Sequence, residues 1–186
     1  MMPKDQPFAV NVSSSDLAFS GMIWNVRREA FDFGEQKLTR EYVEHPGAVA
    51  VVAINDGNQV LMIRQYRHPV GEFLWEIPAG LLDVAGESHE LAAKRELLEE
   101  TGYLAHNLEP LIEFFTTPGG SSEKITIFLA RNLTLSEDRP AVHGEEVDML
   151  VEWVDFDEAL AAVLSSRIKS PSAAVGIMAA ALGKRV

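Results

Sequence analysis

The chain has 186 residues, of which 47% are hydrophobic and 24% are charged, and its formal net charge is −12. This size suits one globular domain, or one domain with a small addition, and the negative charge argues against nucleic-acid binding through a general basic surface. Cysteine is absent, which excludes disulfides, thiolate zinc sites and a cysteine nucleophile and fits a reducing, cytoplasmic compartment.

The apolar segments of the sequence do not predict an association with a membrane. Residues 1–8 lack the apolar run of a signal peptide. The weakly polar stretch 173–182 is too short to span a bilayer. We therefore expect a protein that binds neither membrane nor nucleic acid.

The first half of the chain has the patterns of β-structure. Partial alternation predicts two strands of a small antiparallel unit, at residues 23–33 and 37–44. His45-Pro46-Gly47 interrupts the pattern. Further strands are predicted at residues 48–54, 59–66 and 73–77. We therefore predict an N-terminal β unit over residues 1–46 and a second domain over residues 47–186.

The second half of the chain mixes helices with strands. A helix is predicted over residues 88–101, with Gly102 as a left-handed C-terminal cap. Strands near 109–115, 124–130 and 147–154 and helices at 155–168 and 172–182 complete the prediction. Because the elements do not alternate as regular βαβ units, an α+β architecture is favoured over a doubly wound sheet.

The predicted helix over residues 88–101 has two chemically different faces, given about 100° of rotation per residue. One face carries Leu91, Leu97 and Leu98, which we expect to pack against the sheet. The opposite face carries Glu96, Glu99 and Glu100. Such like charges destabilise a helix by about 0.2–0.5 kcal/mol per pair. They are typical either of a solvated acidic face or of a site for Mg²⁺, which prefers oxygen ligands.

The spacing around the glutamates favours the metal site. Gly80, Glu87 and the string RELLEETGY at 95–103 resemble the Nudix box: glycine, five residues, glutamate, seven residues, then R-E-U-x-E-E-x-G-U with U aliphatic. The chain departs from this pattern twice, since six residues separate Gly80 from Glu87 and Tyr103 replaces the aliphatic residue. The resemblance implies a Nudix hydrolase with an α/β/α sandwich, a mixed sheet and, here, the additional N-terminal antiparallel β unit.

The resemblance also implies the roles of the box residues. Glu96 and Glu100 would be the principal ligands of Mg²⁺, with Mn²⁺ as an alternative ion. Glu99 would be a further ligand or would position a water, and the backbone carbonyl of Ala79 would complete the site. Arg95 would orient the carboxylates through bidentate contacts.

A general base is expected from a later loop, as in other enzymes of this type. The acidic segment 142–148 contains Glu145 and Glu146, and the choice between them stays open. His143 is an alternative base. The base would take a proton from the water that attacks the diphosphate.

Three features resemble ADP-ribose pyrophosphatases. The lead-in Glu76-Ile77-Pro78-Ala79-Gly80 matches the E-x-P-A-G pattern of that subfamily, and Pro118 lies sixteen residues after Gly102, near the subfamily's marker position. Residues 20–45 resemble the extra β unit that builds a homodimer in these enzymes. The resemblance therefore implies hydrolysis of ADP-ribose to AMP and ribose 5-phosphate.

The implied substrate site includes Glu76, Pro118 and three residues with suitable chemistry. Trp24 can stack on adenine and Arg27 can meet a phosphate, although Trp24 is as typical of a core and Arg27 of a solvated strand end. Arg67 suits a phosphate or ribose. Open alternatives for the function are another nucleoside diphosphate sugar of the GDP-mannose type, an oxidised nucleotide, or a non-catalytic module that senses ADP-ribose.

Overall fold

The computed structural model describes residues 2–137 and 149–183, which divide into two compact units. The first unit comprises residues 1–45 and 117–123, and the second comprises 46–116 and 124–186. Residues 117–123, which the sequence analysis assigned to the second domain, therefore belong with the N-terminal unit. Within the described ranges, none of the helices has the length and apolarity required to cross a bilayer.

The first unit is a three-stranded antiparallel sheet in the order β1-β2-β3. Its strands are β1 (Asn11–Ser20), β2 (Asn25–Phe33) and β3 (Gln36–Glu44). The sequence did not predict β1, because its serine-rich start lacks apolar alternation and every residue in it is exposed. The segment 117–123 joins β3 through the amide of Val43, which donates to the carbonyl of Gly120 at 2.9 Å.

The second unit contains two sheets and three helices. One sheet has the order β7-β4-β9-β8 and the other has the order β10-β5-β6. The strands are β4 (Ala48–Ala53), β5 (Gln59–Arg67), β6 (Glu72–Glu76), β7 (Ala79–Leu81), β8 (Tyr103–Phe115), β9 (Lys124–Leu135) and β10 (Leu150–Asp155). The helices are α1 (His89–Thr101), α2 (Phe156–Leu164) and α3 (Pro171–Gly183). Because β4 pairs parallel to β9 and antiparallel to β7, the sheet is mixed.

Strand β4 is buried on both faces, as its unbroken apolar run predicts. Ala50 and Val52 belong to the core cluster that contains residues of α2 and α3. Val49 and Val51 belong to a second cluster, which contains residues of α1. The strands of the second unit therefore lie between α1 on one face and α2 and α3 on the other.

The element boundaries differ from the predictions where no sequence pattern marks them. The three residues of β7 were predicted as part of a loop, because they are too short to show alternation. Strands β8 and β9 are longer than predicted, since their additional residues are mostly polar or small and half-exposed. Helix α2 ends at Leu164, earlier than predicted, because Ser166 adopts a left-handed φ of 58°.

Candidate active site

Helix α1 begins and ends at residues suited to those positions. Ser88 is the N-cap, and its hydroxyl accepts a hydrogen bond from the amide of Leu91 at 3.3 Å. Gly102 adopts a left-handed conformation with φ 79° and donates its amide to the carbonyl of Leu98 at 2.8 Å. The prediction of a helix with a glycine cap is confirmed. The box glutamates therefore lie on a helix whose two ends are fixed.

The buried face of α1 includes Leu97, as predicted, but is rotated away from Leu91. Leu91 is 58% exposed, so the expectation that it packs against the sheet is wrong. The buried residues of the helix are Ala92, Ala93, Leu97, Glu100 and Thr101. The two alanines allow the helix to approach the sheet closely, which rotates Glu100 into the interior, where it is 5% exposed. The glutamates consequently differ in burial, with Glu100 innermost and Glu99 outermost.

Arg95 connects the carboxylates of the site. Its Nε and Nη2 donate to the two oxygens of Glu87 at 3.1 and 3.0 Å, which is a bidentate pair. Its Nη1 donates to Glu96 at 2.6 Å and to Glu99 at 3.1 Å. The bond to Glu87 is the largest cause of the raised pKa of Arg95. One guanidinium therefore neutralises part of the repulsion among three carboxylates and fixes their positions.

Glu96 lies against the backbone of Gly80. A Cβ atom at position 80 would overlap the Glu96 carboxyl group, so only glycine leaves room for it. The Glu96 side chain is 14% exposed. Burial raises its pKa, the contacts with Arg95 lower it, and the charges of Glu99 and Asp83 add to the rise. This carboxylate is desolvated and is an acceptor suited to a cation.

Ala79 and Glu100 join the lead-in strand to the helix. The amide of Ala79 donates to Oε2 of Glu100 at 2.9 Å. The neighbouring Pro78 carbonyl accepts from Val51 of β4 at 2.8 Å, so the backbone groups of Ala79 point away from β4. Because the N–H and C=O of one strand residue point the same way, the Ala79 carbonyl lies on the side of the strand that meets Glu100.

The donor set fits a hard divalent cation. Within residues 2–137 and 149–183, no three acidic or histidine side chains converge into a preformed metal cage. Arg95 lies between Glu96 and Glu99, and one oxygen of Glu100 accepts from Ala79. Mg²⁺ typically takes one or two carboxylates and completes its shell with waters and substrate phosphates. An oxygen set of this kind, close to a backbone carbonyl, suits a divalent cation that keeps part of its coordination shell for water and substrate.

The extra residue between Gly80 and Glu87 is accommodated in a turn. The amide of Glu87 donates to the carbonyl of Val84 at 3.2 Å, and Gly86 adopts a positive φ of 82°. The turn returns Glu87 to its position opposite Arg95. Sequence reasoning missed Asp83, which acts electrostatically on Glu96. Its position inside the box loop was the available signal.

Two of the predicted substrate residues form a pair in the second unit. Nε and Nη2 of Arg67 donate to the two oxygens of Glu76 at 2.9 and 2.7 Å. Glu76 is 5% exposed, so this acidic group is compensated inside the protein. The pair fixes the end of β6, three residues before Ala79. The contact that the structure gives Glu76 in this region is thus with Arg67, and its role in binding substrate stays a prediction.

The other predicted substrate residues lie in the first unit. Trp24 stacks on His45 with ring centroids 4.4 Å apart, and it is 37% exposed. Burial lowers the pKa of His45. Arg27 donates two hydrogen bonds to Glu44, at 3.0 and 2.9 Å. Pro118 lies in a turn of the segment 117–123. The base candidates Glu145 and Glu146, with the alternative His143, lie outside the described residues.

Comparison with known proteins decides the family. A NUDIX domain profile matches residues 44–174. The chain belongs to the Nudix family. An ADP-ribose pyrophosphatase of Mycobacterium tuberculosis is 44% identical over 89% of this chain and 80% of its own. A methanol dehydrogenase activator of Bacillus methanolicus is 36% identical over 91% of both chains.

A solved structure supports the fold of this Nudix protein. The crystal structure of an ADP compounds hydrolase covers 98% of both chains with a TM-score of 0.75 and 20% identity. The predicted α+β Nudix architecture with an N-terminal antiparallel sheet is confirmed. The prediction of a Nudix hydrolase is confirmed by the family match and the relatives. Nudix ADP-ribose pyrophosphatases depend on a divalent metal.

We expect the substitution Gly80→Ala to reduce turnover by about 100-fold, because a displacement of about 1 Å at a reacting site has an effect of that order. The new Cβ would displace the Glu96 carboxyl group. Steady-state kinetics and circular dichroism measure activity and folding together. Gly183→Ala is the control, since a Cβ there meets no atom within 4 Å. Full activity of a folded Gly80→Ala variant would contradict the close approach.

We expect Glu96→Gln to raise the melting temperature of the metal-free protein at pH 8. The pKa of Glu96 is raised above its unfolded value, so the folded state favours the neutral carboxyl and is destabilised once pH exceeds the folded pKa. The gain should disappear below the ordinary glutamate pKa of about 4.3. Thermal unfolding with EDTA measures it, and Glu90→Gln, at an exposed residue of the same helix, is the control. Equal or lower stability of Glu96→Gln at pH 8 would refute the argument.

Proposed function

We propose that this Nudix hydrolase cleaves ADP-ribose to AMP and ribose 5-phosphate in a Mg²⁺-dependent reaction. The observation that carries the proposal is the cluster of carboxylates on α1. In this cluster Glu96 lies against Gly80, and Glu100 accepts a hydrogen bond from the Ala79 amide. The M. tuberculosis relative named as an ADP-ribose pyrophosphatase supports the choice of substrate. The E-x-P-A-G lead-in and Pro118 support it further.

Each residue of the proposed site would have a distinct role. Glu96, Glu100 and the Ala79 carbonyl would hold Mg²⁺, with Glu99 as a further ligand or a water-positioning group and Mn²⁺ as an alternative ion. When bound, the metal would neutralise charge on the diphosphate and lower the pKa of a bound water. Arg95 holds Glu96 and Glu99 at fixed positions through its hydrogen bonds. Either Glu145 or Glu146 would accept the proton of the attacking water.

Each unit carries residues that the resemblance implies for substrate binding. Trp24 presents a partly exposed ring, suited to stacking on adenine. Arg27 and Arg67 would contact phosphate or ribose, and their pairing with Glu44 and Glu76 fixes their guanidinium planes. Glu76 would act by holding Arg67 in place, and Pro118 by shaping the turn in which it lies. The proposed cytoplasmic location stays a prediction from the sequence.

The substrate assignment is tested with a panel of ADP-ribose, GDP-mannose and an oxidised nucleotide, each with Mg²⁺ and read by chromatography. We expect AMP and ribose 5-phosphate from ADP-ribose as the fastest reaction. We expect Glu100→Gln to lose turnover by roughly 10³-fold or more, since it removes a proposed ligand. Glu145→Gln and Glu146→Gln, assayed side by side, identify the base. GMP from GDP-mannose without AMP from ADP-ribose would overturn the assignment, and unchanged turnover in Glu100→Gln would refute the metal site.

We also propose that the protein is a homodimer formed through the N-terminal unit. Strand β1 is an edge strand whose residues are all exposed, including Leu17 and Phe19. An exposed edge with apolar side chains is a surface for pairing with another chain. Sedimentation at micromolar concentration should give a dimer, and Leu17→Glu combined with Phe19→Glu should give a monomer. A monomeric wild-type protein would contradict the proposal.

A further inference from the structure

Tyr103, the residue that departs from the aliphatic end of the Nudix box, makes a specific contact in the second unit. The indole Nε1 of Trp153 donates a hydrogen bond to the Tyr103 hydroxyl at 3.0 Å. The two rings meet edge to face, with centroids 5.4 Å apart and planes at 83°. An aliphatic residue at this position could not accept the bond. The departure from the box pattern therefore coincides with a specific contact between Tyr103 and Trp153.

The contact connects parts of the fold that are separate along the chain. Tyr103 is the first residue of β8 and directly follows Gly102, the cap of α1. Trp153 lies in β10, where it is paired with Leu61 of β5. The contact thus joins the end of the metal-binding helix and one sheet to the other sheet. Both aromatic rings also pack against the core cluster that contains Leu97 of α1.

The backbone transmits the position of Tyr103 to the glutamates. The Tyr103 amide donates to the Thr101 hydroxyl at 3.3 Å, and that hydroxyl donates to the carbonyl of Leu97 at 2.5 Å. Glu100 precedes Thr101 directly, and Glu99 is one residue further. Gly102 lies between Tyr103 and Thr101 along the chain, and the hydrogen bond from the Tyr103 amide to the Thr101 hydroxyl spans it. A displacement of Tyr103 would therefore reach the last helical turn through this bond.

The space beside the aromatic pair makes the hydrogen bond important. A cavity of about 240 Å³ borders Tyr103 and Trp153 and is otherwise lined by Asn55, Asp56, Asn132 and Leu133. Close packing fixes a side chain only where neighbours fill the space around it. On the cavity side, the hydrogen bond and the edge-to-face geometry hold the pair instead.

We propose that Tyr103 is a positioning residue that fixes the last turn of α1, and with it Glu99 and Glu100, through its hydrogen bond with Trp153. The proposal rests on the proposed function of those glutamates as metal ligands. Strand β10 is also the element that follows the segment carrying Glu145 and Glu146 along the chain. The same bond joins the end of α1 to β10.

The test compares Tyr103→Phe, Trp153→Phe and the double variant with the wild type. Isothermal calorimetry with Mn²⁺ alone measures metal affinity without substrate, and ADP-ribose kinetics separate kcat from KM. We expect metal affinity and kcat to fall about 3- to 10-fold in each single variant, the range that corresponds to one neutral hydrogen bond, with KM within about twofold. The double variant should lose no more than either single variant, because all three lack the same bond.

The matched control is Tyr66→Phe, which removes a hydroxyl from an exposed contact with His68 and should change neither metal affinity nor kcat. Unchanged metal affinity and kcat in both folded single variants would overturn the positioning role, as would losses that multiply in the double variant. A wild-type protein that binds Mn²⁺ but leaves ADP-ribose intact would overturn the proposed substrate alone. The calorimetric comparison would then still test Tyr103.

Discussion

The guanidinium of Arg95 is the group on which the site depends. Three carboxylates, from Glu87, Glu96 and Glu99, accept its hydrogen bonds. Carboxylates this close would repel one another and would favour separation or protonation. One planar cation with a fixed fork of donors holds them in a single arrangement. The box therefore specifies an arginine beside its glutamates because the acidic face requires compensation before any metal binds.

The second constraint is close approach between backbone and side chain. Gly80 leaves room for the Glu96 carboxyl group, and the Ala79 amide satisfies one oxygen of the buried Glu100. Both contacts come from β7, a strand of three residues at the edge of its sheet. An edge strand has one row of backbone groups that no neighbouring strand uses. The Ala79 amide, which donates to Glu100, belongs to that row. A short strand without a sequence pattern therefore contributes directly to the proposed site.

Strand β4, which is buried on both faces, positions both α1 and β7. The strand has α1 on one side and α2 with α3 on the other, so the helix has a rigid surface to pack on. Ala92 and Ala93 bring the helix close, and the same closeness makes Glu100 an interior residue. Glu96 lies against the Gly80 backbone, and its desolvation there raises its pKa. Glu96 and Glu100, the proposed principal ligands, are therefore both largely withdrawn from water.

The sequence by itself determined the helix, its glycine cap, the three glutamates, the family resemblance and most of the strands, because periodicity and fixed spacing are local properties of the chain. It did not determine which face of α1 is buried, since the alanines that approach the sheet carry a weaker hydrophobic signal than Leu91. Nor did it reveal β1, β7, the Arg67–Glu76 pair or the bond between Tyr103 and Trp153. These features depend on which residues distant in sequence meet across strands. Only the tertiary structure decided them, because hydrogen bonding and close approach between such residues leave no local pattern.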